Sequence, residues 1–288
     1  MKKFLVDAED NRERADIFAG KRFPELSRAY IKRLFNEGGL TVNDKPTKPG
    51  TRLHQGDVLR LHVNLDEMRQ IEDIDLPILY QDDDIVVIDK PAGVISHSRG
   101  KFWYEPSVAS FMRQITEQTG ERPGIVHRLD RATSGVMICA KHQEAMAVLQ
   151  KQFSDRSVQK TYVAVVSGTL KNEEAIIDVP IERNPKKPQT FRAGTQGKPA
   201  QTAFKVLKTS SHYVLVELKP RTGRTHQLRV HLAYIGHPIV GDELYGGESA
   251  ERLMLHARAL RLRLPNGQER TFTSEVPKEF TTLLKDGQ

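Results

Sequence analysis

The sequence predicts an α+β protein, with a small N-terminal unit ahead of a larger domain built on a mainly antiparallel sheet with flanking helices. Two observations lead to this prediction. Segments with helical periodicity are mixed with alternating, strand-like segments, some of them joined as hairpins. An acidic, polar stretch that ends in Pro77 separates two blocks of such segments, and 288 residues suit one large domain or two unequal ones.

Composition indicates what kind of partner the protein binds and in which compartment it is found. A net charge of +7 and a pI of about 9.4 are typical of a folded protein that binds a polyanion, but charge alone does not choose among RNA, DNA and anionic membrane. The single cysteine, Cys139, lies in the apolar run "GVMICAK" and favours a core role in a reducing compartment. No apolar run suits a signal peptide or a membrane span, so we expect a soluble, cytoplasmic protein that binds no membrane.

The first block, residues 12–65, is predicted to form two helices followed by a small sheet. The stretch "SRAYIKRLFNEGG" has apolar residues at helical spacing, and its two glycines end the helix. The next stretch, "LTVNDKPTKPGTRLHQGDVLRLHV", alternates apolar and polar residues and has turns at "NDKP" and "HQGD".

The order of these features resembles an S4 domain, a small RNA-binding module, over nearly the whole block. The resemblance lies in an "R-x-D-x-F" start, in "LSRAYIKRLFNEGGLTVN", and in an "L-x-x-GD" turn before the last strand. It implies that Arg28, Lys32 and Arg33 bind RNA. Basic residues on a short helix can also be only a solvated face, and that alternative stays open.

Residues 66–77 are predicted to be a linker, and residues 78–288 to form the larger domain. A buried strand at 85–88 runs into a Lys-Pro-Ala-Gly turn, and a helix follows Pro106. Three further elements are a strand at "KTYVAVVSG", a long basic loop or hairpin at "RNPKKPQTFRAGTQGKPAQTAF", and a hairpin at "AFKVLKTSSHYVLVEL" with its turn at "TSSH".

Two more helices are predicted in this domain. The stretch "HQEAMAVLQKQF" places Ala145, Val148, Leu149 and Phe153 on one face. The stretch "THQLRVHLAYIG" is predicted to be an amphipathic helix that Gly236 ends.

The stretch "HRLDRATSG" places a single acid, Asp130, between Arg128 and Arg131. A solvated turn with weak surface ion pairs is the simplest interpretation of such a cluster. Other catalytic patterns are missing from the sequence. The histidines of "RTHQLRVHLAYIGHP" lack metal-ligand spacing, and neither a Gly-x-Ser-x-Gly elbow nor a phosphate-binding loop occurs. The chemistry therefore depends on whether Asp130 is more than a surface acid.

Five motifs from about residue 78 to the C-terminus resemble the pseudouridine synthases of the large-subunit rRNA type. Their number and their order behind an S4-like module make the resemblance specific. The first motif departs from the family at one position, since "DKPAG" has Asp89 where Asn is more usual. The motifs are "IDKPAGVISH", "GIVHRLDRATSGVMICAK", "QKTYVAVVSG", "GKPAQTAFKVL" and "LKPRTGRTHQLRVHLAYIGHPIVGDELYG".

The resemblance implies that the protein isomerises uridine within RNA. The N1–C1′ bond breaks, the uracil turns, and the base rejoins the sugar through C5. No redox step and no group transfer occur, so we expect neither a cofactor nor a metal. The catalytic aspartate of the family falls on Asp130, which would attack C1′ or abstract a sugar proton and then help to remove the C5 proton. Both routes remain open.

The resemblance also assigns supporting residues. An arginine of the last motif pairs with the aspartate and keeps it ionised, and Arg229 is the best match with Arg224 as the alternative. Arg128 corresponds to the residue that helps displace the base from its stack. Tyr162 matches an aromatic residue that stacks on uracil, and Leu228 an apolar residue of the pocket, although both could instead be core residues.

The remaining expectations concern partners. Arg131 and Arg224 complete the predicted RNA-binding set, and Thr133, Ser134 and Gly135 are expected to shape the catalytic loop. Family members that carry an S4 domain act mostly on 23S rRNA, so we expect that substrate, with tRNA as an alternative, and a monomeric enzyme. A non-catalytic RNA-binding or ribosome-assembly protein is the rival from another class. Asp130, Tyr162 and Arg229 together favour the enzyme.

Overall fold

The computed structural model confirms the predicted α+β class. It describes residues 2–24, 26, 28–64, 74–97, 105–116, 118 and 122–285, so most of the predicted linker lies outside the described residues. Within those ranges, no helix is long and apolar enough to cross a bilayer. The helices are α1 Ala15–Arg22, α2 Arg28–Asn36, α3 Val108–Ile115, α4 Gln143–Ser154, α5 Gln227–Tyr234 and α6 Lys278–Thr282.

The N-terminal sheet has four strands: β1 Lys2–Leu5, β2 Leu40–Val42, β3 Lys45–Pro46 and β4 Val58–Leu61. They are antiparallel in the order β1-β4-β2-β3 and share a separate core with α1 and α2. Asn43 and Asp44 form the predicted turn, both with positive φ, as a two-residue hairpin requires. The pairing of β1 with β4 was not predicted, because a short strand beginning with two lysines carries little periodicity.

The larger sheet has nine strands in the described part of the chain. Its order is β5-β6-β7-β14-β8-β13-β12-β9, with β15 paired to β14, and the β7–β14 pair is parallel while the others are antiparallel. Its strands are β5 Ile78–Gln81, β6 Ile85–Lys90, β7 Ser134–Ala140, β8 Gln159–Ser167, β9 Glu174–Asp178, β12 Gln201–Thr209, β13 Tyr213–Pro220, β14 Leu255–Arg263 and β15 Glu269–Thr273.

A small hairpin stands apart from both sheets. Its strands are β10 Ile181–Arg183 and β11 Phe191–Ala193. The basic segment predicted to be a loop or hairpin begins at the last residue of β10 and contains β11. The strand β11 contacts α5, so the hairpin lies beside the helix that carries the last sequence motif.

Strand β14 lies between β7 and β8 in the larger sheet, and so brings together the two segments that carry the candidate site residues. It pairs with β7, which follows Asp130, and with β8, which carries Tyr162. At the first of these pairings Gly135 has φ +113°, and a Cβ added there would overlap the backbone of Ala257. Glycine is therefore required where β7 leaves the loop that holds Asp130.

Two predictions about helices are wrong. The helix α5 is not amphipathic, because residues 227–232 are all buried between the sheet and the β10–β11 hairpin. In α4, Ala145 and Leu149 belong to the core, but Val148 is 42% exposed. The core position predicted for Cys139 is confirmed, and burial raises the pKa of its thiol to about 12.

Candidate active site

A cavity of about 450 Å³ opens where the Asp130 loop (residues 127–133), β8 and the start of α5 meet. Six of the predicted site residues line it, and Arg131 is not among its lining residues. The six are Arg128, Asp130, Tyr162, Arg224, Leu228 and Arg229.

The Asp130 carboxylate lies near two nitrogen donors from α5 and its N-cap. Its side chain is 21% exposed, and its Oδ2 lies 4.0 Å from Nη1 of Arg229 and 3.9 Å from Nε2 of His226. Both distances exceed a direct hydrogen bond, and donors of this kind often close on a catalytic group only when substrate binds. The structure thus brings Arg229, and not Arg224, close to Asp130. Arg224 instead donates from Nε to the carbonyl of Pro199 at 3.0 Å.

Arg229 is held by a carboxylate that the sequence interpretation did not assign. Its Nε and Nη2 donate to the two oxygens of Asp242 at 2.7 and 2.6 Å, and the guanidinium carbon lies 5.0 Å from the ring centre of Tyr245. Burial opposes the charge of Arg229, but the hydrogen bond and charge of Asp242, with the charge of Asp130, raise its pKa above the ordinary value. Arg229 therefore stays protonated while Nη1 faces Asp130.

His226 is the second residue that sequence reasoning did not place in the site, since it was considered only as a metal ligand. It caps α5 in the left-handed region, with φ 55° and ψ 21°. Its Nδ1 lies 2.7 Å from the Tyr245 hydroxyl, and that oxygen accepts from the Phe191 amide at 3.0 Å. The signal in the sequence was present, because both His226 and Tyr245 lie in the last motif.

Tyr162 and Leu228 each face the cavity and pack in the core. Tyr162 pairs across β8 with Ala257 on one side and Leu218 on the other, and it is partly buried. Burial, with the negative charge of Asp130, raises the pKa of Tyr162 above its usual range, so its hydroxyl is protonated. Leu228 is 7% exposed and belongs to the core cluster that includes β8 and β13. The two roles considered for each residue are therefore compatible.

The "DKPAG" turn lies against the Asp130 loop, although the two are far apart in sequence. The fully buried Lys90 donates to the carbonyls of Pro91 at 2.8 Å, Val94 at 2.7 Å and Arg131 at 3.3 Å. Burial lowers the pKa of Lys90 to about 7, while the charge of Asp130 acts in the opposite direction.

A serine of the same motif holds the residue before Asp130. Ser96 Oγ donates to the carbonyl of Leu129 at 2.7 Å and accepts from its amide at 3.1 Å. Together with Lys90, it fastens the Asp130 loop to the end of β6 through backbone atoms.

Basic residues continue from the cavity into an adjoining groove of about 860 Å³. Arg156 and Lys160 line both, and Lys219 and Arg221 line the groove alone. Burial, and then the charge of Arg156, lower the pKa of Lys160. The two spaces share lining residues and form a mainly basic path beside Asp130, with Asp178 as an acidic residue in the lining of the groove.

The other predicted RNA-binding residues lie outside this cavity. Arg131 forms a two-pronged ion pair with Glu105, including Nη2 to Oε2 at 2.7 Å. On α2, Arg33 pairs with Glu37 at 2.7 Å, and Arg28 and Lys32 are exposed. The α2 residues thus form a solvent-facing basic surface on the N-terminal unit.

The family model and the relatives that match this chain share one description. The family model described as RNA pseudouridylate synthase matches residues 84–234. An uncharacterized RNA pseudouridine synthase of Aquifex aeolicus is 40% identical over 257 residues, which cover 86% of this chain and 81% of that protein. The ribosomal large subunit pseudouridine synthase D of Pseudomonas aeruginosa is 34% identical, over 94% of this chain and 91% of that protein.

A solved structure of a related protein is also similar to this chain. Human RNA pseudouridylate synthase domain containing 4 aligns with a TM-score of 0.58 at 28% sequence identity, over 73% of this chain and 92% of that one.

Proposed function

The chain belongs to the RNA pseudouridylate synthase family and is an RNA pseudouridine synthase, and from that premise we propose that Asp130 is its catalytic carboxylate and 23S rRNA its substrate. The observation that carries the proposal is the position of Asp130. It is a partly buried carboxylate 4.0 Å from a protonated arginine, in a cavity of about 450 Å³ that the ring of Tyr162 also lines.

Asp130 can act by either of two balanced routes. It can attack C1′ so that the N1–C1′ electron pair leaves on uracil, and C5 of the turned base then displaces the carboxylate. Alternatively, it abstracts the sugar proton next to C1′ as the base leaves and returns that proton later. In both routes the C5 proton is finally lost and N1 gains one. Because the bonds that differ between substrate and product all lie within the uridine and there is no net oxidation or reduction, we expect no cofactor to be needed.

The walls of the cavity suit a base that is detached and held. Tyr162 offers a ring for stacking, and Leu228 and Leu255 add apolar surface that limits water near the uracil. Arg128, which lines the cavity two residues from Asp130, would fill the gap left by a flipped base or hold phosphate.

The basic path beside the cavity is suited to the RNA backbone. Arg156, Lys160, Lys219 and Arg221 would contact phosphates on one side of the target uridine. Residues 12–65, extended by β1, would act as an S4-like module with Arg28 and Lys32 on its RNA-facing surface. We expect the enzyme to act as a monomer.

The substrate assignment rests on similarity along nearly the full chain. The relative from Borreliella burgdorferi, also named ribosomal large subunit pseudouridine synthase D, is 33% identical over 96% of this chain and 90% of its own length. The alignment therefore includes the N-terminal unit. We infer 23S rRNA as the substrate and the cytoplasm as the place of reaction. Pseudouridine appearing in tRNA alone would contradict this assignment.

The test of the catalytic role is Asp130→Asn in the full-length enzyme. We expect release of tritium from C5-labelled uridine in rRNA to fall to background while RNA binding is retained, since Asn keeps the shape but removes the charge. Asp155→Asn, at the exposed C-cap of α4, is the matched control and should act like wild type. Substantial turnover by Asp130→Asn would overturn the assignment.

A further inference from the structure

His226 is held in an unusual place for a helix cap. Its backbone is left-handed, a conformation unfavourable for residues other than glycine, and its side chain does not cap the α5 amides. The imidazole instead spans from Tyr245 on one side to the cavity on the other, with Nε2 facing Oδ2 of Asp130 at 3.9 Å. A conformation that is locally unfavourable at a cavity suggests a role for the side chain.

The contacts of His226 select one tautomer. The Tyr245 oxygen accepts from the Phe191 amide, which favours donation of its own hydrogen to Nδ1 of His226 at 2.7 Å. Nδ1 is then an acceptor, and the single imidazole hydrogen is on Nε2. The carboxylate of Asp130 favours the same choice, because an Nε2 lone pair facing a negative oxygen would be repelled.

The imidazole is neutral in this setting. Burial is the largest influence and lowers the pKa of His226. Asp130 and Asp242 act to raise the pKa, and Arg229 and Arg128 act to lower it. Asp130 and Arg128 belong to the Asp130 loop, Arg229 to α5 and Asp242 to the segment after it, so charges of both signs act on the ring.

The geometry points to His226 as a positioning residue for Asp130, held by Tyr245 as the Nε2–H tautomer and acting with Arg229 as the second donor to the carboxylate. Two of the Arg229 nitrogens are engaged by Asp242, so Nη1 alone approaches Asp130. One donor would leave the carboxylate free to rotate. Both donors approach Oδ2, and together they would hold that oxygen and leave Oδ1 to act on the ribose. This inference rests on the proposed role of Asp130.

The first experiment needs no variant. Long-range ¹H–¹⁵N spectra of histidine-labelled full-length protein report which nitrogen carries the hydrogen. His231 in the same helix is the internal reference, because its Nε2 lies 2.9 Å from the Val179 carbonyl and must be protonated. We expect His226 to show the same Nε2–H pattern. An Nδ1–H signal for His226 would overturn the inference.

The second experiment removes one hydroxyl with Tyr245→Phe and keeps the ring beside Arg229. His226 would then populate both tautomers, and we expect kcat to fall roughly fivefold, the size of one hydrogen bond, with KM for RNA unchanged. The loss should shrink as the pH is lowered. Without the donor to Nδ1 the neutral imidazole is less favoured, so His226 protonates more easily and regains a hydrogen on Nε2. His226→Gln, which keeps an N–H donor, should retain more activity than His226→Ala.

Two controls separate this inference from the proposed function. Tyr234→Phe, at the 59% exposed end of α5, should match wild type in rate and pH profile. Asp130→Asn is measured in the same assay. If Asp130→Asn is active, the proposed function fails. If it is inactive while Tyr245→Phe matches Tyr234→Phe at every pH, only the role of His226 is overturned.

Discussion

Single residues in this protein serve the site and the core at once. Tyr162 packs in a strand between β14 and β13 while one side of its ring lines the cavity, and Leu228 does the same from α5. Arg229 likewise combines a buried ion pair with Asp242 and an approach to Asp130. A side chain fixed by packing holds its functional atoms in place, which an enzyme that detaches and rejoins a base requires.

Substitutions at Tyr162 separate stacking from packing. Tyr162→Phe keeps the ring and should bind RNA nearly as wild type does. Tyr162→Leu should lower kcat by roughly tenfold or more, since stacking of a base on an aromatic ring contributes about 1–3 kcal/mol. The measurement is single-turnover tritium release together with urea unfolding. Tyr213→Leu, on the neighbouring strand and outside the cavity lining, controls for loss of sheet packing. Wild-type turnover by Tyr162→Leu would make Tyr162 a core residue only.

At the scale of elements, the Asp130 loop is fastened at both ends. Lys90 and Ser96 hold it to the turn after β6, and Gly135 lets β7 approach β14 closely where the loop ends. The contacts at the first end are to backbone atoms, so they set the path of the chain independently of the side chains on the loop. The loop therefore presents Asp130 from a rigid support.

Gly135→Ala tests this support. The added Cβ would overlap the backbone of Ala257 and would also sit at positive φ, so we expect a loss of unfolding free energy of about 2–5 kcal/mol and reduced kcat. Gly267→Ala, in the β14–β15 turn, has φ +88° but open space around it, so it measures the effect of the positive φ alone. We expect it to lower the free energy of unfolding by about 1–2 kcal/mol without affecting kcat. Urea unfolding and turnover measure both effects. Equal losses for the two variants would mean that the close approach at Gly135 is easily relaxed.

At the scale of the whole molecule, we propose that the N-terminal unit adds affinity for RNA and that the chemistry takes place in the larger domain. The N-terminal unit has its own core, formed by α1, α2 and the small sheet, and the cavity is built entirely from the larger domain. The exposed basic face of α2 belongs to the first unit and contributes nothing to the lining of the cavity. Affinity for structured RNA can therefore change while the reacting groups stay intact.

Removing charge from α2 should lower the salt dependence of rRNA binding. We expect the full-length Arg28→Ala/Lys32→Ala variant to lose up to about 1.4–1.8 from the slope of log affinity against log salt, because each neutralised phosphate contributes about 0.7–0.9. Turnover on a short model RNA should be unchanged. Lys2→Ala/Lys3→Ala, on β1 of the same unit, removes the same charge elsewhere. If the two double variants have the same slope, α2 is only a solvated surface.

The sequence by itself determined the features that depend on local pattern. Helical and alternating periodicity located the helices at 108–115 and 143–154 and the hairpin at 201–220. The order of the five motifs indicated the family, which the family model confirms. Two of these motifs singled out Asp130 and Arg229, which the tertiary structure brings within 4.0 Å of each other. These inferences succeed because a helix, a turn or a motif is encoded by residues close together in the chain.

Only the tertiary structure decided the contacts between distant segments. No local pattern pairs β1 with β4, buries every side of α5, sets Asp242 and Tyr245 around Arg229 and His226, or brings Lys90 to the carbonyl of Arg131. Such contacts depend on how whole elements pack, and buried polar groups find partners wherever packing places them. Asp130 could therefore be proposed as the catalytic carboxylate from the sequence, but the residues that surround it in the structure could not be predicted.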